Sequence, residues 1–402
     1  MRTLRYTPAL RVRHSEIHYV PRIVVAPDSF KGSLSAPGVC AALARGFARA
    51  WPDAEVIARP MADGGEGTLD AILTAVGNTG RRLHCRVCGA GGAPIEADYG
   101  LLIRDGETIA VIEIAQVVGI TDRAGMAASV GERTTRGVGE LIAALLDQGL
   151  RRFMIGLGGS STNDGGAGLL AALGLSLRDA TGREISSGPD ALATLHHVDA
   201  AALDPRLSAC AITIMSDVNN PLSGERGATA IFGPQKGVSA SQVHVFDESI
   251  ARFSTRAEAA IGRRAAESSG AGAAGGLGFA LQLLGGAFQS GAEVVAELIG
   301  LDEVLADADW AITGEGRSDA QTLLRKAPFV VAEHARACGV PVTLISGAID
   351  SAAFPELGSH FAGCFALPNG PMSLDECIAN VGALLADRAE QVARVLMASS
   401  SR

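Results

Sequence analysis

Residues 22–51 read RIVVAPDSFKGSLSAPGVCAALARGFARAW. The run Arg22–Pro27 has the character of a strand buried on both faces, because apolar residues follow one another without polar alternation. Ser35 then caps a helix, with Pro37 in its first turn, that extends to about Trp51. Glu55–Arg59 makes a second short strand, and a helix after segment 61–67 ends near Val76. Strand, helix, strand and helix at this spacing predict a right-handed parallel crossover.

Beyond Gly80 the pattern changes. Segments 81–87, 95–103 and 108–114 alternate and are separated by turn residues such as Asp105-Gly106, which predicts a mixed or antiparallel patch. Further along, Gly137–Gln148, Gly166–Leu173 and Val243–Ile261 read as helices, and Phe153–Leu157 and Ala211–Ser216 as buried strands. The Gly- and Ala-rich stretch Gly270–Gly278 reads as lying near a crossing between domains. From Val294 strands and helices alternate again: strands Trp310–Thr313, Val342–Ser346 and Phe365–Leu367, helices Phe329–Cys338 and Leu374–Leu396. The expected fold is α/β with two domains. A Rossmann-like parallel-sheet domain takes residues 22–80 plus 290–402, a second α/β domain of mixed sheet (81–289) is inserted in it, and 1–21 form a tail.

Composition narrows the function. Hydrophobic residues at 48% and charged residues at 19% supply sizeable cores and exclude a disordered chain. With 4% aromatics and 50 Gly, those cores rest on aliphatic residues and the backbone turns tightly. A net charge of −9 lacks the basic footprint of a nucleic-acid binder. It leaves anionic substrates open, since backbone N–H groups and a few cations build phosphate sites locally. No apolar run of about 18 residues or more occurs, so neither a transmembrane helix nor a membrane partner is expected. Residues 1–21 carry Arg2, Arg5, Arg11 and Arg13 without an apolar core, unlike a secretory signal. They read as a frayed tail, a start placed too early, or a basic arm. Cys85 and Cys88 form a lone CxxC, and seven scattered cysteines fit reduced thiols in a cytoplasmic protein.

Six glycine-rich segments interrupt the scaffold, four of them directly after strands, where α/β sheets bind ligands. The first holds Asp28, Ser29, Lys31 and Ser33; Lys31 can hold a phosphate or carboxylate as a point charge. The second, Asp63-Gly64-Gly65-Glu66, offers two carboxylates before a helix, for Mg²⁺ or for a hydroxyl proton. The third runs Gly158, Gly159, Ser160, Ser161, Thr162, Asn163, Asp164. Strand, Gly/Ser loop and helix N-terminus in that order make an anion site, and it is not a Walker A loop because no Lys-Ser/Thr pair follows. The fourth pairs Asp217, Asn219 and Asn220, as hard oxygen ligands, with Lys236 in GPQKG. The fifth, GAAGGLG with Gly275 and Gly276, reads equally as close helix packing. The sixth sets Glu315, Arg317, Asp319 and Gln321 at a strand end, where Arg317 can grip a carboxylate bidentately.

Together APDSFKGSLSA (26–36), MADGGEGT (61–68), GLGGSSTNDGGAG (156–168), SDVNNPLSGERGA (216–228), FGPQKG (232–237), GAAGGLG (272–278) and TGEGRSDAQT (313–322) resemble the glycerate kinase family of the bacterial 2-kinase type, from Arg22 to the C-terminus. The resemblance implies two α/β domains with the active site in the cleft between them. It also implies ATP and Mg²⁺ as cofactors, D-glycerate as substrate and 2-phosphoglycerate as product (3-phosphoglycerate being the lesser alternative), in organic-acid or glyoxylate breakdown. Assembly as a homodimer is left open. The expected catalytic set is Lys31, Asp63, Asp217, Lys236, Arg317 and Asp319. Asp28, Ser29, Ser33, Gly64–Glu66, Gly158–Asn163, Gly275, Gly276, Glu315 and Gln321 are expected to bind substrate or nucleotide, and Asp164 and Asp217 to position Mg²⁺. Either Asp63 or Asp319 serves the attacking hydroxyl. The family usually carries Gly-Lys where this chain has Arg325-Lys326. A kinase for another hydroxy acid or a sugar alcohol, and a non-catalytic sugar-acid binder, are the competing readings.

Overall fold

The structure, a computed structural model, describes residues 20–400. Most of the N-terminal segment, with its four arginines, lies outside the described residues. The chain divides into two compact units: one ends its first stretch at Pro60 and resumes as Leu301–Leu324 and from Val331 on; the other is Met61–Gly300 with Arg325–Val330.

The first unit is a five-stranded parallel sheet. Its order is Gly363–Ala366, Val342–Ser346, Trp310–Thr313, Arg22–Val25, Glu55–Ala58. Ile23 stands between Trp310 and Val56 in register, which explains its uninterrupted apolar sequence. The helix Ala36–Ala50 starts where Ser35 accepts from the Gly38 N–H, with Pro37 in its first turn. It packs Val39, Leu43 and Phe47 with Leu385, Ala389 and Val392 of the helix Val381–Ser400. Full burial of a side chain such as Phe47 contributes about 1.5–3 kcal/mol. The expected single C-terminal helix is two, Leu374–Ala379 and Val381–Ser400, separated at Asn380.

The second unit holds a six-stranded mixed sheet. Its order is Ala287–Gln289, Ala211–Met215, Arg152–Gly156, Glu107–Glu113, Pro94–Arg104, Gly80–Cys88. The first four strands are parallel and the last two antiparallel. Asp105 and Gly106, both at positive φ, make the two-residue hairpin turn.

The units divide at Pro60 and Leu301, where the sequence suggested 80 and 290. The helix Thr68–Val76 packs against the second sheet: Leu69 and Ile72 are buried, and Arg82 of the edge strand pairs with Asp70 of the helix and, at 3.0 Å, with Asp98. Gly270–Gly278 lies within the second unit rather than at a crossing. Cys85 and Cys88 are three apart on one strand and point to opposite faces, so they cannot bridge; all seven cysteines are free thiols. Among the described residues no helix is long and apolar enough to cross a membrane.

Candidate active site

The expected site residues fall into two sets, one on each unit. In the second unit, the strand Arg152–Gly156 opens into the loop 157–166 before the helix Ala167–Ala172. Gly158 N–H donates to the Gly64 carbonyl at 3.2 Å, and a Cβ on Gly158 would stand 2.3 Å from the Gly65 Cα. Only glycine allows the two loops to touch there. Leu157 N–H donates to the Met215 carbonyl at 3.2 Å, which brings the end of the strand Ala211–Met215, and so Asp217, to the same place. From the other side Ile120 N–H donates to the Gly159 carbonyl, and Ser161 donates through N and Oγ to the Val118 carbonyl.

These loops frame a cavity of about 260 Å³. Ile120, Leu157, Val218 and Phe232 give it apolar walls, and Gly158–Ser160 and Gln235-Lys236 give it a polar end. Lys236 is 2% exposed, and its Nζ donates to Ser160 Oγ and to the Thr162 carbonyl, each at 2.8 Å. Burial brings the ammonium down from 10.5 to about 7; the charge of Asp164 opposes the shift and that of Arg133 adds to it.

The rest of the loop faces inward. Asn163 donates to Thr229 Oγ1 at 3.0 Å. Asp164, expected as a metal ligand, is buried completely: Oδ2 accepts from Thr135 N and Oγ1 and from Gly168 N, and Oδ1 from Gly166 N. Four donors fill its oxygens, so it fastens the loop to the segment before the helix Arg136–Asp147 instead of offering them to a cation. Burial raises its carboxyl, against those hydrogen bonds. Asp164→Asn turns an amide NH₂ toward these donors and is expected to cost about 2 kcal/mol, read from urea unfolding. Gly275, with φ at 70°, comes so close to the Thr162 carbonyl that a Cβ would stand 2.1 Å away, and Gly276 packs on Gly165. Both back the loop rather than face the cavity.

Asp63 accepts from Gly65 N–H at 3.1 Å, while Glu66 is exposed. Shielding by the surrounding loops, with the Asp63 charge adding to it, raises the Asp217 carboxyl. Among the described residues no group of three or more His, Cys, Asp or Glu could hold a metal ion. The pair Asp63 and Asp217 still suits Mg²⁺, which is commonly held by one or two carboxylates together with substrate phosphates.

Two residues that the sequence did not single out shape the site. Glu113, 1% exposed at a strand end, accepts from the Gly67 and Leu69 N–H groups at 3.1 and 3.0 Å, and burial raises its carboxyl. It occupies the start of the helix Thr68–Val76; the signal was a lone acid closing the apolar run of ETIAVIE. Arg133, 4% exposed, donates to the Ala128, Met126, Ser161 and Lys236 carbonyls.

In the first unit the loops after Arg22–Val25 and Trp310–Thr313 adjoin: Asp28 N–H donates to the Gly314 carbonyl at 2.8 Å and Thr313 Oγ1 to the Ala26 carbonyl. Asp28 is buried and accepts from Ser29 N–H, Ser33 donates to the Phe30 carbonyl, and Lys31 is exposed. Glu315 is buried and accepts from Ser318 Oγ and Thr322 Oγ1. Asp319 caps the turn Ala320–Leu323 by accepting from Gln321 N–H, and Gln321 is exposed. The Arg317 guanidinium, 69% exposed, lies 4.0 Å from Asp319 and 3.9 Å from Asp350, which leaves donors for a further anion. Arg325, which belongs to the second unit, has φ at 62°, the left-handed region that favours glycine, and pairs with Glu293 of the same unit.

The profile of the Glycerate kinase family matches residues 23–397. The Glycerate kinase of Bacillus subtilis (strain 168) is 42% identical over 385 residues, 94% of this chain and 97% of that protein. The Glycerate 2-kinase of Escherichia coli (strain K12) is 42% identical over 329 residues, 82% of this chain and 85% of that one. A crystal structure of a Salmonella typhimurium LT2 protein assigned as glycerate kinase 2 superposes with a TM-score of 0.81 at 39% identity, covering 96% of this chain and all of that one. Loops, fold and relatives agree, and the chain is a kinase that belongs to the glycerate kinase family.

Proposed function

We propose that this enzyme transfers the γ-phosphoryl group of ATP to the 2-hydroxyl of D-glycerate, giving 2-phosphoglycerate in the breakdown of small organic acids. The observation that carries the reading is Lys236. A buried ammonium at the polar end of a cavity, against a glycine-serine loop, is suited to a phosphate. Phosphoryl transfer needs positioning and charge neutralisation more than covalent chemistry. Gly158, Gly159 and Ser160 cradle the phosphates, and the apolar walls suit a nucleotide base. Lys236 neutralises charge on the moving group. Asp63 and Asp217 hold Mg²⁺, which when bound offsets phosphate charge. In the first unit Arg317 takes the glycerate carboxylate and Lys31 adds a second cation. Either Asp63 or Asp319 orients the attacking hydroxyl: one oxygen of each already accepts a backbone N–H, from Gly65 and from Gln321.

Phosphorus NMR of the product from ATP and D-glycerate tests this. A single new resonance matching authentic 2-phosphoglycerate is expected. A 3-phosphoglycerate resonance overturns the regiochemistry, and turnover only with a sugar alcohol overturns the substrate.

A further inference from the structure

Two cationic side chains are buried side by side in the second unit, Arg133 and Lys236. Charged groups at that depth are ordinarily paired. Here the hydrogen bonds of both head groups go to neutral oxygens: four carbonyls for Arg133, one hydroxyl and one carbonyl for Lys236. The acid whose field reaches Lys236 is Asp164, and its own oxygens are filled by Thr135, Gly166 and Gly168. One nitrogen of Arg133, Nη1, donates both to the Ser161 carbonyl at 3.2 Å and to the Lys236 carbonyl at 2.8 Å. The Lys236 carbonyl belongs to one of the two backbone segments at the polar end of the cavity, Gln235-Lys236, and the Ser161 carbonyl directly follows the other, Gly158–Ser160.

We infer that Arg133 is a positioning residue of the transfer site: its guanidinium ties the glycine-serine loop to the Lys236 turn, and its charge beside Lys236 reserves that ammonium for an incoming phosphate. The inference rests on the phosphoryl-transfer reading. A planar fork with five donors reaches four carbonyls on three segments; a lysine ammonium has three donors on one nitrogen and cannot span them. The phosphate supplies the negative charge that the surrounding protein withholds. Lys236 therefore takes up a proton as the anion enters, since burial and the neighbouring Arg133 hold it near 7 before then, with Asp164 alone opposing.

The test compares wild type, Arg133→Lys and Arg133→Met in ATP affinity by calorimetry, KM and kcat for ATP, the pH profile of kcat/KM, and thermal melting. Loss of one hydrogen bond to a charged group costs about 10- to 100-fold in affinity. Both variants are therefore expected to weaken ATP binding about 10- to 100-fold, with kcat for the bound substrate less affected. Arg133→Met removes a cation beside Lys236, so its alkaline limb moves to higher pH; Arg133→Lys keeps the charge and leaves the limb in place. Wild-type ATP affinity and an unmoved limb in Arg133→Met, with only a lower Tm, overturn the inference and make the residue merely structural. Should Arg133→Met fail to fold by circular dichroism, Arg133→Lys decides: wild-type ATP affinity there overturns the inference. Absence of glycerate turnover in wild type is a failure of the functional reading, while the calorimetric comparison still decides the role of Arg133.

Discussion

Replacing Lys236 by Met is expected to lower kcat/KM for ATP by about 10²- to 10³-fold, the loss typical of removing one preorganised charge or donor from a transfer site. The same change is expected to leave the fold intact. Met fills a similar space, and exchanging a buried charge for an apolar group is often neutral or stabilising. The two effects separate by pH. In the folded protein without an anion Lys236 releases its proton near pH 7, whereas in the unfolded chain it does so near 10.5. Between those values the unfolded state binds the extra proton, so wild-type stability rises with pH across that window. Below about 7 the whole burden of the buried cation is present, and above 10.5 none of it. Lys236→Met should therefore gain most in Tm over wild type near pH 6 and least near pH 10. Wild-type activity in this variant, or a Tm difference that does not change with pH, would contradict the role.

The second large effect is expected at Asp217. Asp217→Asn keeps the shape of the side chain and removes one of two carboxylates whose charges are felt by each other. A cation held by Asp63 alone is bound less tightly, so kcat/KM should fall about 10²-fold and the Mg²⁺ concentration for half-maximal rate should rise. A rate lost without any change in the Mg²⁺ response would point to a role in orienting substrate instead.

The parallel sheet of the first unit was legible because its strands, RIVV, WAIT and VTLIS, are predominantly apolar and carry no charge inside the run, and burial on both faces leaves little else that such runs can do. The hairpin at Asp105-Gly106 was legible for a comparable local reason. What local pattern does not specify is the partner. The helix Thr68–Val76 follows a strand of the first unit, yet its apolar face matches the sheet of the second. The loop 157–166 shows the same limit at the residue scale. Ser160 and Asp164 stand four apart in one polar run, and only the tertiary positions of Lys236 and Thr135 decide that one faces the cavity and the other the interior. Arg133 had no motif around it, because a residue that binds carbonyls needs no particular neighbours in sequence.

The central strands of the first sheet also dictate an order of events at birth. Ala26 and Thr313 are hydrogen-bonded across 287 positions of chain. A nascent chain emerges N-terminus first, so the strand Arg22–Val25 waits with one edge unpaired while Met61–Gly300, the bulk of the second unit, is made. Met61–Gly300 is available to fold on the ribosome, whereas the first sheet closes only after translation has passed Trp310. Slow codons or a chaperone acting on residues 22–60 in that interval would influence yield without touching a single contact of the finished enzyme.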